Sequence, residues 1–248
     1  MERKTIVIVG ATSSIAGHCA RLWVSRAPVN MVLIGRDAAR LERIAADLKT
    51  RGAGSDIRAV TVDFLDPEAI RAVADDVAQT AVDIVFIAHG MLPEQDACQN
   101  DLSACREALE VNGVSPVLFA EAFARTMEKN GRGTIALTGS VAGDRGRKSN
   151  YVYGSAKGMI ERYAQGLQHR FAGTGINVVL VKPGPTDTPM TARLKDTGTR
   201  LAPVASVARR IARAIDKGVP VVYAPCRWSV IMWVVRHLPG VIFRKLDI

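Results

Sequence analysis

Short runs of β-branched and aliphatic residues alternate along this chain with longer segments whose apolar positions recur every three or four residues. The short runs predict strands at 4–9, 31–35, 57–62, 82–88, 133–139, 176–181 and 219–224, and the longer segments predict helices between them. Asp37 is placed to cap a helix whose apolar stripe is Leu41, Ile44, Ala45 and Leu48. Asp66-Pro67 opens another, with an acceptor at the cap and proline at the first helical position. Strand–helix alternation sustained over the whole length predicts an α/β fold built on a doubly wound parallel sheet of about seven strands. There is no internal repeat, low-complexity segment or evident linker, so residues 1–224 read as one domain and 225–248 as an appended tail.

Composition adds little to this picture, and charge adds more. Apolar residues make up 48% of the 248 and charged residues 23%, ordinary for a globular protein. Met1-Glu-Arg-Lys-Thr leads straight into Ile6-Val-Ile-Val9, too short for a secretion signal, and no apolar run reaches the roughly 20 residues that span a bilayer. Cys19, Cys98, Cys105 and Cys226 form neither a CxxC pair nor a metal spacing, so reduced thiols, a cytoplasmic location and no metal are expected. The net charge of +9 is lopsided: from Arg193 to Ile248, eleven Lys or Arg stand against three Asp, a local balance of +8. Such a patch suits an anionic partner. Nucleic acid is disfavoured because aromatic residues are few and no zinc or RNP-like pattern is present; a membrane surface fits better.

Candidate chemistry gathers around Tyr151-Val-Tyr-Gly-Ser-Ala-Lys157. On a helix, Tyr153 and Lys157 share one face a turn apart. A phenol of pKa about 10 is a poor acid at neutral pH, and a lysine ammonium beside it is expected to lower that pKa and make Tyr153 a usable proton donor. Ser140, following the strand at 133–139, is placed to hold the same carbonyl oxygen. The first strand runs into Gly10-Ala-Thr-Ser-Ser-Ile-Ala-Gly17, either a pyrophosphate-binding turn at a helix N-terminus or simply a polar turn that caps a helix. Near the end of the second strand, Gly35-Arg36 replaces the acidic residue that would hold a ribose 2′-hydroxyl. A guanidinium there suits a 2′-phosphate, the alternative being a solvated arginine. Pro116 has no N–H, so the carbonyl of Asn112 lacks its helical partner and is free to hold a water.

On these residues the chain resembles a short-chain dehydrogenase/reductase with a Rossmann-type fold. Tyr153 and Lys157 fit the family's YxxxK, Ser140 its serine, and Asn112 in Leu109-Glu-Val-Asn-Gly-Val-Ser-Pro116 its asparagine. Asp63 matches the aspartate that contacts adenine, and Pro183-Gly-Pro-Thr-Asp-Thr188 the PG motif whose last threonine meets the nicotinamide carboxamide. The resemblance implies NADPH/NADP+ held by Gly10, Thr12, Ser13, Ser14, Ile15, Arg36, Asp63, Phe64, Ala88, Gly90, Tyr153, Lys157, Pro183, Thr186 and Thr188. It also implies catalysis by Asn112, Ser140, Tyr153 and Lys157, a lid over residues 185–202, and a homo-oligomer. Two glycines of the first turn are Ser14 and Ala16, and the family's NNAG is Ile87-Ala-His-Gly90, which leaves His89 either facing the cofactor or structural.

The tail, Arg227-Trp-Ser-Val-Ile-Met-Trp-Val-Val-Arg-His237 and beyond, places Trp228, Ile231, Met232 and Val235 at helical spacing among basic residues. It reads either as a helix in a membrane interface or as one docked on the domain or a partner. With the GATSSIA turn and the AHG loop, it resembles the branch of bacterial reductases similar to decaprenylphosphoryl-2-keto-β-D-erythro-pentose reductase. That implies a lipid-linked keto sugar as substrate, at the inner membrane face. The rivals are a soluble reductase of 3-oxoacyl thioesters or small ketones, an NAD-linked alcohol dehydrogenase, and a non-catalytic dinucleotide-binding protein.

Overall fold

The computed structural model describes residues 3–196 and 198–246. Parallel strands β1 (Lys4–Val9), β2 (Val29–Gly35), β3 (Asp56–Thr61), β4 (Ile84–Ile87), β5 (Arg132–Thr138), β6 (Gly175–Pro183) and β7 (Val221–Ala224) form one sheet in the order β3-β2-β1-β4-β5-β6-β7. The expected doubly wound sheet is what forms, as a single domain. β7 begins two residues later than the apolar run at 219 because Pro220 has no N–H for the ladder; its carbonyl instead accepts Leu180 N–H.

The central strands β1, β2 and β4 are apolar on both faces because both are covered, whereas the edge strand β3 exposes Asp56, Arg58 and Thr61. Ile6 and Ile8 pack with α1 (Ser14–Val24), α2 (Ala38–Arg51) and α8 (Val204–Asp216). Val7 and Val9 pack on the opposite side with α3 (Pro67–Val77), α6 (Ser115–Asn130) and α7 (Tyr151–Arg170). The caps are as expected: Asp37 Oδ1 accepts Arg40 N–H at 2.9 Å, and Asp66 Oδ1 accepts the amides of Glu68 and Ala69. Sheet order reverses between β1 and β4. A crevice therefore opens at the strand C-termini, where an open α/β sheet takes its ligand.

The helix carrying Asn112 is broken. α4 (Gln95–Asn100) and α5 (Leu102–Leu109) lead into a π-helical turn over Glu110–Val114, closed by Ser115 N–H to the Glu110 carbonyl, before α6 begins. The missing N–H of Pro116 accounts for the loosened ladder, and such π-turns recur at functional sites. Beyond β7 the tail forms α9 (Arg227–His237) and α10 (Gly240–Phe243). No helix among the described residues is long and apolar enough to cross a membrane.

Candidate active site

Tyr153 and Lys157 lie on the face of α7 that looks at the C-terminal end of β5, and Ser140 follows that strand. Tyr153 is partly buried, and its phenol oxygen is hydrogen-bonded by Ser140. Ser140 Oγ also accepts the Ala142 amide at 3.1 Å, which fixes its rotamer. Lys157 is buried, and its Nζ donates to the Thr138 carbonyl at 3.0 Å. Asn112, fully buried in the π-turn, donates from Nδ2 to the Ala108 carbonyl and accepts Met91 N–H on Oδ1, both at 2.9 Å. Its side chain thereby clamps the loop after β4. A Cβ added at Gly90 would fall 2.8 Å from Asn112 Oδ1 and 3.4 Å from Lys157 Nζ, so all three residues meet at one point.

The electrostatics correct one expectation. The Tyr153 pKa is raised, not lowered: burial pushes it up and the Ser140 hydrogen bond offsets only part. Burial and Ser140 set that direction, with the Lys157 Nζ 5.7 Å from the Tyr153 ring centroid. Burial also pulls the Lys157 pKa down to about 7, so near neutral pH its charge is only partial. At that pH Tyr153 is a neutral phenol, the form that donates a proton.

The first turn has the features of an anion cradle. Gly10 sits at φ +80°, where a side chain is strained, and its Cβ would lie 2.6 Å from the backbone nitrogen of His89. Ser13 occupies the N-cap of α1 without making a side-chain capping bond, and the first turn has no acidic residue. The amides at Ser14 and Ile15 are therefore available to a phosphate. Thr12 adjoins this turn, and its carbonyl accepts Arg40 Nη2 at 3.4 Å. Sequence reasoning did not single out Arg40, the third residue of α2, which this contact brings to the first turn.

The exposed Arg36 holds its guanidinium 5.9 Å from the ring of the buried Phe64. Asp63 Oδ1 accepts the Leu65 amide at 2.9 Å. Buried Ala88 bonds the Val9 carbonyl through its N–H. His89 is a buried neutral residue: burial, then repulsion from Lys157 and Arg36, lowers its pKa to about 3. Its Nε2 pairs with Ser115 Oγ at 2.9 Å, while its Nδ1 has no partner. Between Arg36 at one end and Lys157 at the other, His89 Nδ1 and the unpartnered Thr138 Oγ1 are buried polar atoms that suit a long polar ligand such as a dinucleotide.

Pro183 ends β6, and Thr186 is buried with its hydroxyl on the Gly184 carbonyl at 2.8 Å. Thr188 begins a 3-10 helix, Pro189–Lys195, and its Oγ1 lies 3.2 Å from Thr191 Oγ1. The segment expected to form a lid is pinned at its base, where Asp187 N–H reaches the Ala202 carbonyl and Ala202 N–H the Pro185 carbonyl, both at 2.9 Å.

The tail takes the docked alternative for most of its predicted apolar stripe. Of the stripe Trp228, Ile231, Met232 and Val235, only Ile231 is exposed; Met232 is buried and the other two half-buried. The Trp228 indole lies against Gly184, where an added Cβ would meet Nε1 at 2.0 Å. Arg145, on the loop after Ser140, donates from Nη1 to the carbonyls of Val235 and Leu238 at 2.5 and 2.6 Å and stacks 3.8 Å from the centroid of Phe243. That cation satisfies the orphan carbonyls at the C-terminus of α9. The tail is thus docked on both loops beside the site, and the large apolar side chains it leaves in the open are Val230, Ile231, Trp233, Val234, Val241, Ile242 and Leu246.

The family model described as short chain dehydrogenase matches residues 4–198. The chain belongs to that family. An uncharacterised oxidoreductase of Streptomyces coelicolor is 32% identical over 98% of this chain and 96% of its own. Among solved structures, a short-chain dehydrogenase from Sphingobium yanoikuyae in complex with NADPH superposes with a TM-score of 0.82 at 24% identity, covering 98% of this chain and 96% of that one. One from Burkholderia cenocepacia in complex with NADP reaches 0.83 at 18% identity, covering 100% and 98%. Membership in the short-chain dehydrogenase family makes this chain an oxidoreductase.

Proposed function

We propose that this protein is an NADPH-dependent reductase of ketones. The observation that carries the reading is the meeting of Tyr153, Ser140, Lys157 and Asn112 at the strand ends, with the unpartnered buried atoms Thr138 Oγ1 and His89 Nδ1 beside them. When bound, the reduced dinucleotide supplies a hydride to the carbonyl carbon. Tyr153 gives its phenolic proton to the carbonyl oxygen, and Ser140 donates a hydrogen bond to the same oxygen as charge develops on it. Lys157 holds the nicotinamide ribose. The Asn112 carbonyl, with no amide at position 116, anchors a water that returns a proton toward Lys157. Arg36 and Arg40 hold the adenosine 2′-phosphate, the amides of Ser14 and Ile15 the pyrophosphate, and Thr186 and Thr188 the carboxamide end.

For the substrate, the tail supports a ketone carried on a membrane lipid, such as a keto sugar on a polyprenyl phosphate. Its open side presents Val230, Trp233, Val234, Val241 and Ile242, with Arg227, Arg236, Arg244 and Lys245 exposed around them. No acidic residue occurs from Lys217 to Leu246. An apolar face in a basic rim suits an anionic bilayer, and Arg145 ties that face to the loop of Ser140. The homo-oligomer is supported by Leu102, Leu109 and Met159, apolar and exposed on α5 and α7.

The test uses ethyl acetoacetate as a water-soluble probe ketone. Wild-type protein is expected to oxidise NADPH with it. Tyr153→Phe is expected to bind NADPH normally by fluorescence titration but to lose turnover by about 10²-fold or more. Turnover above roughly a tenth of wild type would assign the proton to another group.

A further inference from the structure

Lys182 and Asp144 have covered side chains behind the site, Glu161 is half-buried beside them, and none of the three takes part in the proton transfer. Lys182, the penultimate residue of β6, is 1% exposed, and its Nζ donates to Glu161 Oε2 at 2.8 Å and to Asp144 Oδ1. The side chain of Asp144 is fully covered and also accepts the Tyr223 hydroxyl at 3.2 Å. Burial by itself would pull the Lys182 pKa down, but Asp144 and then Glu161 outweigh it and leave the pKa raised, so the side chain stays an ammonium.

The anchorage of the two carboxylates gives the cluster its meaning. Asp144 follows the 3-10 turn Val141–Gly143, which starts at Ser140. Glu161 is on α7 at the spacing that continues Tyr153 and Lys157 along one face, each four residues from the last. One ammonium therefore ties the Ser140 turn to the helix that carries Tyr153 and Lys157. The turn and helix already touch through small groups: a Cβ on Gly143 would lie 2.8 Å from the Lys157 carbonyl carbon, and one on Gly154 2.9 Å from the Ala142 carbonyl oxygen. Contacts of that kind limit approach but do not resist sliding, whereas two charge-assisted hydrogen bonds to one nitrogen resist both.

Stability does not explain the cluster, since buried ion pairs and triads are commonly matched by apolar side chains of similar volume. Geometry does, because a misplacement of about 1 Å in a reacting constellation costs on the order of 10²-fold in rate.

We propose that Lys182, acting through Asp144 and Glu161, is a positioning residue that holds Ser140 in register with Tyr153. This rests on the reading of Tyr153 as the acid and Ser140 as its partner. The single variant Lys182→Met leaves two buried carboxylates facing each other and is expected to unfold. The decisive protein is the full-length triple variant Asp144→Asn, Glu161→Gln, Lys182→Met, which removes all three charges at similar volume.

It is expected to melt within a few degrees of wild type and to bind NADPH equally well. Amide exchange in residues 141–150 is expected to rise by about tenfold or more while α7 beyond Glu161 is unchanged. With ethyl acetoacetate, kcat is expected to fall by roughly 10- to 100-fold, with KM changed less. A triple variant that exchanges and turns over like wild type overturns the proposal, and so does one that unfolds, because the cluster would then serve stability. The exchange measurement needs no turnover, so it decides the tether even if Tyr153→Phe shows that the acid lies elsewhere.

Discussion

At the scale of single residues, the site is governed by desolvation more than by attraction between neighbours. Lys157 is the clearest case, with burial holding its pKa near 7. An unfolded lysine titrates near 10.4. Between those values the folded state binds fewer protons than the unfolded one, so this group makes the cofactor-free protein more stable as pH rises through the window. The ammonium that should hold the ribose is lost over the lower part of the same range. NADPH affinity, followed by fluorescence, is therefore expected to weaken as pH rises through about 7, and Lys157→Met should abolish that dependence. An affinity flat across the range would mean that the ammonium is not a ligand of the cofactor. YxxxK spacing made the two residues visible in the sequence. It carried no information on how deeply each is buried, and burial decides the direction in which both titrate.

At the scale of elements, close approach of backbones explains the first turn. Gly10 leaves β1 at φ +80° with His89 directly against it, so a methyl group at this position meets backbone. Gly10→Ala is expected to lower stability by about 1–3 kcal/mol, measured as a drop in Tm. At the end of β2, Arg36→Ala is expected to weaken NADPH much more than NADH, by an amount in the range of charged hydrogen bonds, about 1.5–3 kcal/mol. Equal weakening of both cofactors would remove Arg36 from the 2′-phosphate. Gly35→Asp is a poorer test, since the added Cβ would sit 3.0 Å from the buried Leu41. The π-turn at Asn112 follows from Pro116, which the sequence shows. That the Asn112 side chain clamps Met91 follows from contact between segments 21 residues apart, which no local pattern records.

At the scale of the whole molecule, the tail and the domain work as one body, with Arg145 and Trp228 as its fastenings. Removing the tail would take away the buried Met232 and strip the Trp228 cover from Gly184, so point changes on its open face separate membrane contact from folding. Wild-type protein is expected to co-sediment with anionic vesicles at low salt and to be released as salt rises. Trp233→Ser, at a position 64% exposed, is expected to keep the Tm and lose most of that binding. Protein that ignores such vesicles would favour a water-soluble ketone as the substrate.

The sequence by itself determined the order of strands and helices, the family and the spacing of Ser140, Tyr153 and Lys157, because these rest on local periodicity and on residues close in the chain. The asymmetric charge was equally visible. Helical spacing singled out the side of α9 carrying Trp228, Met232 and Val235, and that side is the covered one. What covers it was decided only by tertiary structure, because the seat of Trp228 on Gly184 and the reach of Arg145 to the Val235 and Leu238 carbonyls join segments far apart in the chain. The same holds for Lys182: in the chain it is one lysine at the end of an apolar strand. Only the tertiary meeting of β6, the Ser140 turn and α7 gives it two carboxylates, so charges from three distant segments share one covered spot.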